Sequence, residues 1–434
     1  MEIVVFTLLF VFITWKRLDY GIFLFFLLLP SYLIRFHIGS IPSTLLEVML
    51  ISLIAIFFVK NPTSLYWTNL RHAFQKHSSL VYATFLFLIA ATIAIMVSAN
   101  QLAAIGEWKA FYIEPILFAL MLILYAQHSS KNLNHFFLIT IFPLILCGIF
   151  TSMLAIFQHF TGWMVPYDFW ENRNTFRVTG WYGFPNAVGL FLAPLYPLAL
   201  FLFASGWKKW MKLRSSLPVV EKVSVATSFL FLSFAPLAIL FAKGSGPLIG
   251  LLAGLGILLL FYKKTRVLAV FLGCMLLGSI LLLPTTHSLK QEIFMQNRSG
   301  QIRVDMWAET TEYLIHHPIV GTGLTSYQEK LWPYRIDKWI EIFHHPHNIF
   351  LTMWVNLGIF GLIAFIWLLV WFLKTGFLSY SKVCLSKYLF AAMVTIIIAG
   401  LVDSPYIKND LAIVFWTFIA LMLIASTRAQ LELE

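Results

Sequence analysis

Charge is what this sequence lacks. Only 11% of its 434 residues are Asp, Glu, Lys or Arg, and 60% are hydrophobic, where soluble domains carry roughly 25% charged residues. With a mean hydropathy of +0.84, a soluble enzyme is excluded. No long polar block interrupts the apolar runs, so the soluble basic domain that nucleic-acid binding would need is missing as well. Cysteine is scarce. Cys147, Cys274 and Cys384 sit in or beside apolar runs without CxxC spacing, which argues against disulfides and zinc–thiolate sites. No GxxxxGK[ST] loop is present, which disfavours ATP-driven transport by this chain.

What abounds instead is apolar runs of about 20 residues, the length a helix needs to cross a hydrocarbon core. They centre near Leu24, Ser52, Leu88, Phe118, Ile145, Leu195, Leu232, Leu255, Leu276, Ile363, Ile396 and Trp416, which makes twelve spans. The opening stretch from Glu2 to Trp15 is a thirteenth candidate. It lacks a small-residue cleavage pattern and runs into Lys16 and Arg17, so it reads as a short or tilted span and not as a secretory signal. The expected fold is all-α: a polytopic bundle of 12–13 transmembrane helices forming one integral membrane domain over residues 1–434.

Lys and Arg outnumber Asp and Glu by 30 to 19, a formal net charge of +11. The basic clusters are Lys60/Arg71/Lys76, Lys208/Lys209/Lys212/Arg214/Lys222, Lys263/Lys264/Arg266 and Lys374/Lys382/Lys387, and alternate loops carry them. Basic loops stay cytoplasmic. Segments 35–44, 98–108, 158–185, 242–246, 403–410 and the large loop 285–346 then face outward. The positive balance reads as orientation signal and contact with anionic lipids.

Unexplained polarity gathers on those outward segments. Segment 167–186, YDFWENRNTFRVTGWYGFPN, holds Arg173 and Arg177 among Trp170, Trp181 and Tyr182, and ends in a Phe-Pro-Asn helix start. The aromatics suit a membrane-interface belt. Outward arginines oppose the orientation rule, and a guanidinium is shaped to grip phosphate bidentately. The tight turn AKGSGP offers Gly244, Gly246 and a helix opening at Pro247, a place where an anion could dock. There Lys243 is either a phosphate ligand or a snorkelling lysine.

Within the large loop, NRSGQIRVDMWAETTEYLIHHP reads as an amphipathic helix opened near Ser299 and closed before Pro318, with Ile302, Met306, Trp307 and Leu314 on its apolar side. Arg303 and Trp307 lie one turn apart, so the arginine can reach a headgroup while the indole anchors the helix. Otherwise Arg303 is a solvated residue near Asp305 or Glu309. Arg298 precedes it as a further basic candidate, and the glycines of VGTG, Gly321 and Gly323, free the chain beyond. The loop closes in FHHPHN: His344, His345 and His347 beside Asn348, a suitable helix cap. Proline breaks this cluster and no carboxylate or thiolate is fixed beside it, which argues against a metal site. Either the histidines are satisfied at the helix start as part of its cap, or His347, an imidazole at a dry interface, accepts a hydroxyl proton. Glu47, Glu114 and Asp403 lie in or at the ends of apolar runs, where ionisable groups are functional suspects unless they pair structurally, as Glu114 could with Lys109.

Four stretches in fixed order, RVTGWYGFPNAVGLFLA, AKGSGPLIGLLAG, RVDMWAETTEYLIHHPIVGTGLTSY and HNIFLTMWVNLGIFGL, resemble the O-antigen ligase and O-antigen polymerase-like membrane glycosyltransferases. Their order and the long loop before the fourth are the specific part, and the resemblance covers roughly residues 80–425. It implies a helical bundle with a large periplasmic loop in the bacterial cytoplasmic membrane. It also implies transfer of a glycan from an undecaprenyl-diphosphate carrier to a glycan, lipid or protein acceptor, without metal, nucleotide or other cofactor. The positions it implicates are Arg177, Lys243, Arg303 and His347, with Arg173, Arg298, Asn348, Glu114 and Asp403 as further candidates. Two departures stand out: many members have Ser-Arg-Gly in the tight turn, where this chain has a shifted lysine, and Asn356 replaces a frequent glutamate. Ligase and polymerase share these motifs. A transporter of a lipid-linked sugar is the alternative, and it would place polar groups along a midplane path and not at one face.

Overall fold

In hydrocarbon every backbone N–H and C=O must be satisfied within the segment, so apolar runs of this length fold as helices. The computed structural model describes residues 2–39, 41–61, 75–128, 133–165, 176–213, 218–339 and 343–431. Arg71, Trp170, Arg173 and Arg214 lie outside them. The helices are α1 Glu2–Lys16, α2 Leu18–Leu27, α3 Leu45–Lys60, α4 Ser78–Val97, α5 Gln101–Trp108, α6 Glu114–His128, α7 Leu133–Thr161, α8 Pro185–Leu213, α9 Val219–Phe241, α10 Ser245–Leu260, α11 Arg266–Leu282, α12 Ser288–Ile293, α13 Arg298–His316, α14 Tyr327–Leu331, α15 Ile349–Ser379, α16 Cys384–Ala399 and α17 Asn409–Leu431. A small antiparallel hairpin, Arg35–Ile38 with Ile41–Thr44, is the sheet structure among the described residues.

All twelve expected centres fall inside these helices. Among the described residues seven helical stretches are long and apolar enough to cross a membrane: Ser78–Val97, Gln101–Gln127, Asn134–Thr161, Pro185–Leu213, Val219–Phe241, Ile349–Ser379 and Asn409–Thr427. The other five expected centres lie in shorter helices, four of them in the apolar α2, α10, α11 and α16 and Ser52 in α3. The chain is a polytopic all-α membrane protein. Its three cysteines are free.

Two close approaches position the polar end of the bundle. α10 lies directly against α16, because a Cβ on Gly250 would stand 2.6 Å from the Thr395 carbonyl oxygen and one on Gly254 would stand 2.8 Å from that of Ala391. Small residues at this spacing let helix backbones meet in lipid, where apolar burial alone drives little association. The second approach breaks α15. Gly358 has φ 72° and ψ −176°, outside the helical region, and splits the helix in two. Segment 318–322 plugs the gap: Ile359 N donates to the carbonyls of Pro318 and Ile319 at 3.2 Å, and Thr322 donates through N and Oγ1 to the Val355 carbonyl at 2.6 and 2.9 Å. A Cβ on Gly358 would strike the Ile319 oxygen, and one on Gly321 would strike that of Val355. The VGTG glycines, expected to release the chain, therefore lock it onto α15, and Gly323 packs equally tightly on the end of α4.

The helices around the site run alternately up and down. The end of α16 meets the start of α15 through Ile349 N to the Gly400 carbonyl at 2.7 Å, while at the far end the hydroxyls of Tyr262 and Tyr388 lie 3.0 Å apart. Segments 176–185, 242–245, 343–348 and 400–408 consequently share one end of the bundle. Lys208, Lys209, Lys212 and Lys222, with Lys263, Lys264, Arg266, Lys382 and Lys387, gather at the other.

Candidate active site

At the first end a continuous hydrogen-bonded chain joins residues far apart in sequence. Arg177 donates from Nη2 to Asn186 Oδ1 at 2.7 Å. Asn186 sits on the first turn of α8 and donates from Nδ2 to Asp403 Oδ2 at 2.7 Å. Asp403 Oδ1 lies 3.2 Å from His347 Nδ1 and accepts from Ser404 N at 2.8 Å.

Asp403 is 4% exposed. Burial alone would push its carboxyl up, but the neighbouring His347 and His345 rings and the Arg303 guanidinium hold it below the usual carboxylate range. An ionised carboxylate only accepts hydrogen bonds, so Nδ1 of His347 carries a proton, and in the neutral form of the ring the lone pair lies on Nε2. His347 has φ 49°, a left-handed conformation rare for a residue with a Cβ. Asn348 fixes it from below: its Oδ1 caps α15 by accepting from Phe350 N and Leu351 N, and its Nδ2 donates to the Leu401 carbonyl. His345 Nδ1 accepts from His347 N at 3.3 Å. Desolvation and the adjacent imidazole push the His345 pKa down to about 3, so that ring is neutral.

The two arginines are held by carbonyls and by no carboxylate. Arg177 Nε and Nη2 donate to the carbonyls of Ala242 and Lys243 at 2.9 and 3.1 Å, closing off the end of α9. Arg303 Nε donates to the Val402 carbonyl at 3.0 Å, and its Nη1 donates to Ser299 Oγ at 2.8 Å. Among the described residues neither forms an ion pair, and Arg177 Nη1 and Arg303 Nη2 have no protein acceptor. Burial lowers the Arg177 pKa and the positive charge of Arg303 adds to that, so two guanidiniums repel across this site. Such a pair invites an anion.

The other candidates divide. Lys243, at φ 50°, is exposed on the turn and uses its backbone carbonyl to hold Arg177. The helix after the turn opens at Ser245, two residues before the expected Pro247. Arg298 is exposed at the start of α13 and makes no contact with the group. Glu114 is not joined to it either: Lys109 pairs with Glu47 at 2.5 Å, not with Glu114 as the sequence suggested. Tyr182, expected in an aromatic belt, is 2% exposed with the Lys408 ammonium 4.1 Å over its ring. The apolar side of α13 is spent on protein: Met306, Tyr313 and Leu314 bury against Tyr327, Leu331 and Val355. Trp307, read as a lipid anchor, donates from Nε1 to the Pro346 carbonyl at 2.8 Å and thus secures the histidine segment. Glu309 lies 3.6 Å from Arg335 in a nearly inaccessible pair, not beside Arg303.

Asn186 is the residue that sequence reasoning missed. It appeared only as the last letter of Phe-Pro-Asn, and its polar position on the first turn of an apolar helix was the available signal. The carboxylate that the histidines lacked in sequence is Asp403. Side-chain ligand atoms of His345, His347 and Asp403 lie within 4.8 Å of one another, a spacing that could hold an ion. Yet both oxygens of Asp403 and Nδ1 of His345 already accept protein hydrogen bonds.

This is a polytopic membrane protein with a histidine–carboxylate pair and two arginines that form no ion pair among the described residues at one end of its helical bundle. Residues 227–366 match the family model described as O-antigen ligase. The matched stretch contains Lys243, Arg303 and His347 and leaves Arg177, Asn186 and Asp403 outside. The chain is also similar to a Rickettsia conorii protein named "Putative polysaccharide ligase", with 26% identity over 149 residues. That similarity covers 31% of this chain and spans 36% of the relative's length.

Proposed function

We propose that this chain is a membrane glycosyltransferase of cell-surface polysaccharide assembly. It moves a glycan from an undecaprenyl-diphosphate carrier to an acceptor hydroxyl at the outer face of a bacterial cytoplasmic membrane. The observation that carries the reading is the pairing of two ion-pair-free arginines with an imidazole whose Nδ1 faces Asp403. The O-antigen ligase match over residues 227–366 supports it. In this reading residues 285–346 form the outward loop of a single membrane domain.

Arg177 and Arg303 grip the diphosphate, and Lys243 adds a third cation from the turn. His347 Nε2 takes the proton of the acceptor hydroxyl, and the freed oxygen attacks the anomeric carbon. The new C–O bond forms as the bond from that carbon to phosphate breaks, and undecaprenyl diphosphate departs with the bonding electrons. Attack opposite the leaving group inverts the anomeric configuration. Preorganised guanidiniums stabilise the charge that develops on the diphosphate. Asp403 holds the imidazole in its productive tautomer, and Asn186 ties that carboxylate to the phosphate-binding arginine. No metal takes part.

The test is to supply purified protein with undecaprenyl-diphosphate glycan and identify the products. Free undecaprenyl diphosphate with a longer lipid-linked chain marks a polymerase, and glycan on a new acceptor marks a ligase. Translocation of intact donor without either product would replace this reading with a transporter.

A further inference from the structure

A second site lies at the opposite end of the bundle. α8 has 29 residues, which rise about 43 Å, so its last turn is remote from Asn186. There the starts of α2, α7, α9 and α16 and the end of α8 enclose a cavity of about 770 Å³. That is the size of a small-molecule site. Phe23, Leu138, Phe142 and Phe201 make its walls largely apolar.

The mouth is charged. Buried Asp19 accepts from the Tyr125 hydroxyl and lies 3.3 Å from His135 Nε2, whereas Arg17 reaches it only at 3.6 Å and stays 53% exposed. Lys209 contacts Glu221 at 3.1 Å and is 42% exposed. Lys208, Lys212 and Lys222 do not line the cavity but stand on the same ends of α8 and α9, so cations outnumber carboxylates at this end of the bundle although Arg17 and Lys209 each face one carboxylate in the lining.

We propose that this cavity holds one anionic phospholipid of the surrounding membrane, with an acyl chain in the apolar cleft and its phosphate at Arg17 and Lys209. Charge complementarity and shape together select this occupant. Basic pockets between membrane helices at the basic end of a bundle bind anionic headgroups, and an apolar cleft of this volume is filled more favourably by hydrocarbon than by water. The lipid would bridge α2 and α7 to α8, α9 and α16. The inference is independent of the transfer reaction.

Native mass spectrometry of the whole detergent-solubilised protein tests it, with dioleoylphosphatidylglycerol, dioleoylphosphatidylcholine and inorganic phosphate as probes. One phosphatidylglycerol is expected to stay bound in preference to phosphatidylcholine. Two basic contacts correspond to roughly thirtyfold in affinity, and the double variant Arg17→Gln/Lys209→Gln should lose about that much. Leu138→Trp, which fills the cleft and leaves both cations, should also lose the lipid, while Lys263→Gln/Lys264→Gln should retain it. Equal retention of the two lipids overturns the proposal. So does an unchanged double variant, or inorganic phosphate binding as tightly as the lipid.

Discussion

The side chain of Asn186 donates to Asp403 at 2.7 Å across 217 residues of sequence. Because Asn186 also accepts from Arg177, one amide couples that guanidinium to the carboxylate beside His347. Deleting either end of this chain should therefore disturb the other.

His347→Ala should lower transfer about 10²–10⁴-fold and leave donor binding intact, since both arginines remain. Asp403→Asn should cost a similar factor by permitting the wrong tautomer. His344 is exposed, and its replacement by alanine should stay within roughly tenfold. His345→Ala, which removes the acceptor for His347 N, should fall between them. Steady-state kinetics beside a donor-binding assay decides, and near-normal transfer by His347→Ala sinks the assignment.

Arg177→Ala and Arg303→Ala should weaken donor binding as well as turnover, because a phosphate contact acts in ground and transition states alike. Lys243→Ala should cost less than either, since its ammonium is exposed and its carbonyl survives the substitution. Titration with a lipid-diphosphate analogue measures all three. An arginine variant with unchanged affinity would remove that residue from the phosphate site.

Chelator should leave turnover unchanged. Loss of activity with chelator, restored by one particular divalent ion, would mean that His345, His347 and Asp403 hold a metal.

Acid should weaken the histidine segment in a defined window. An unfolded histidine titrates near 6.5, whereas His345 does so at about 3 when folded. The unfolded chain binds the extra proton between those values, so stability falls as pH drops from about 6.5 toward 3. Asp403 acts in the same direction at lower pH: its depressed pKa contributes stability above about 3.9, and this is lost as pH falls further. Melting of the detergent-solubilised protein across this range, with His345→Gln as reference, should show a smaller pH dependence for the variant.

In intact cells an impermeant thiol reagent should label Lys338→Cys in the large loop and spare Lys208→Cys, with Cys274 and Cys384 replaced by serine. Both positions are exposed. The reverse pattern would invert the orientation.

The helices were legible because the bilayer demands a repeating length, and each of the twelve apolar centres became a helix. His347, Arg177 and Arg303, which the structure gathers at one end of the bundle, could be singled out as candidates because polar side chains are conspicuous in an apolar chain. What pairs with what was not. Asp403 could be read as suspicious, but only folding brings the end of α16 against the start of α15 and so beside His347. Trp307 and the VGTG glycines were misjudged for one reason: their partners, Pro346, Val355 and the end of α4, come from other segments, and local pattern carries no record of such contacts.

The break at Gly358 also sets a height. The portion of α15 after it, residues 359–379, rises about 31 Å and by itself matches the hydrocarbon thickness. The nine residues before it then form a pedestal that lifts His347 by up to about 14 Å above the plane where the spanning part begins. On the proposed function, a base at that elevation would meet the hydrated sugar of an amphiphile and not its oily tail, and the kink would act as a ruler that matches the chemistry to depth in the bilayer.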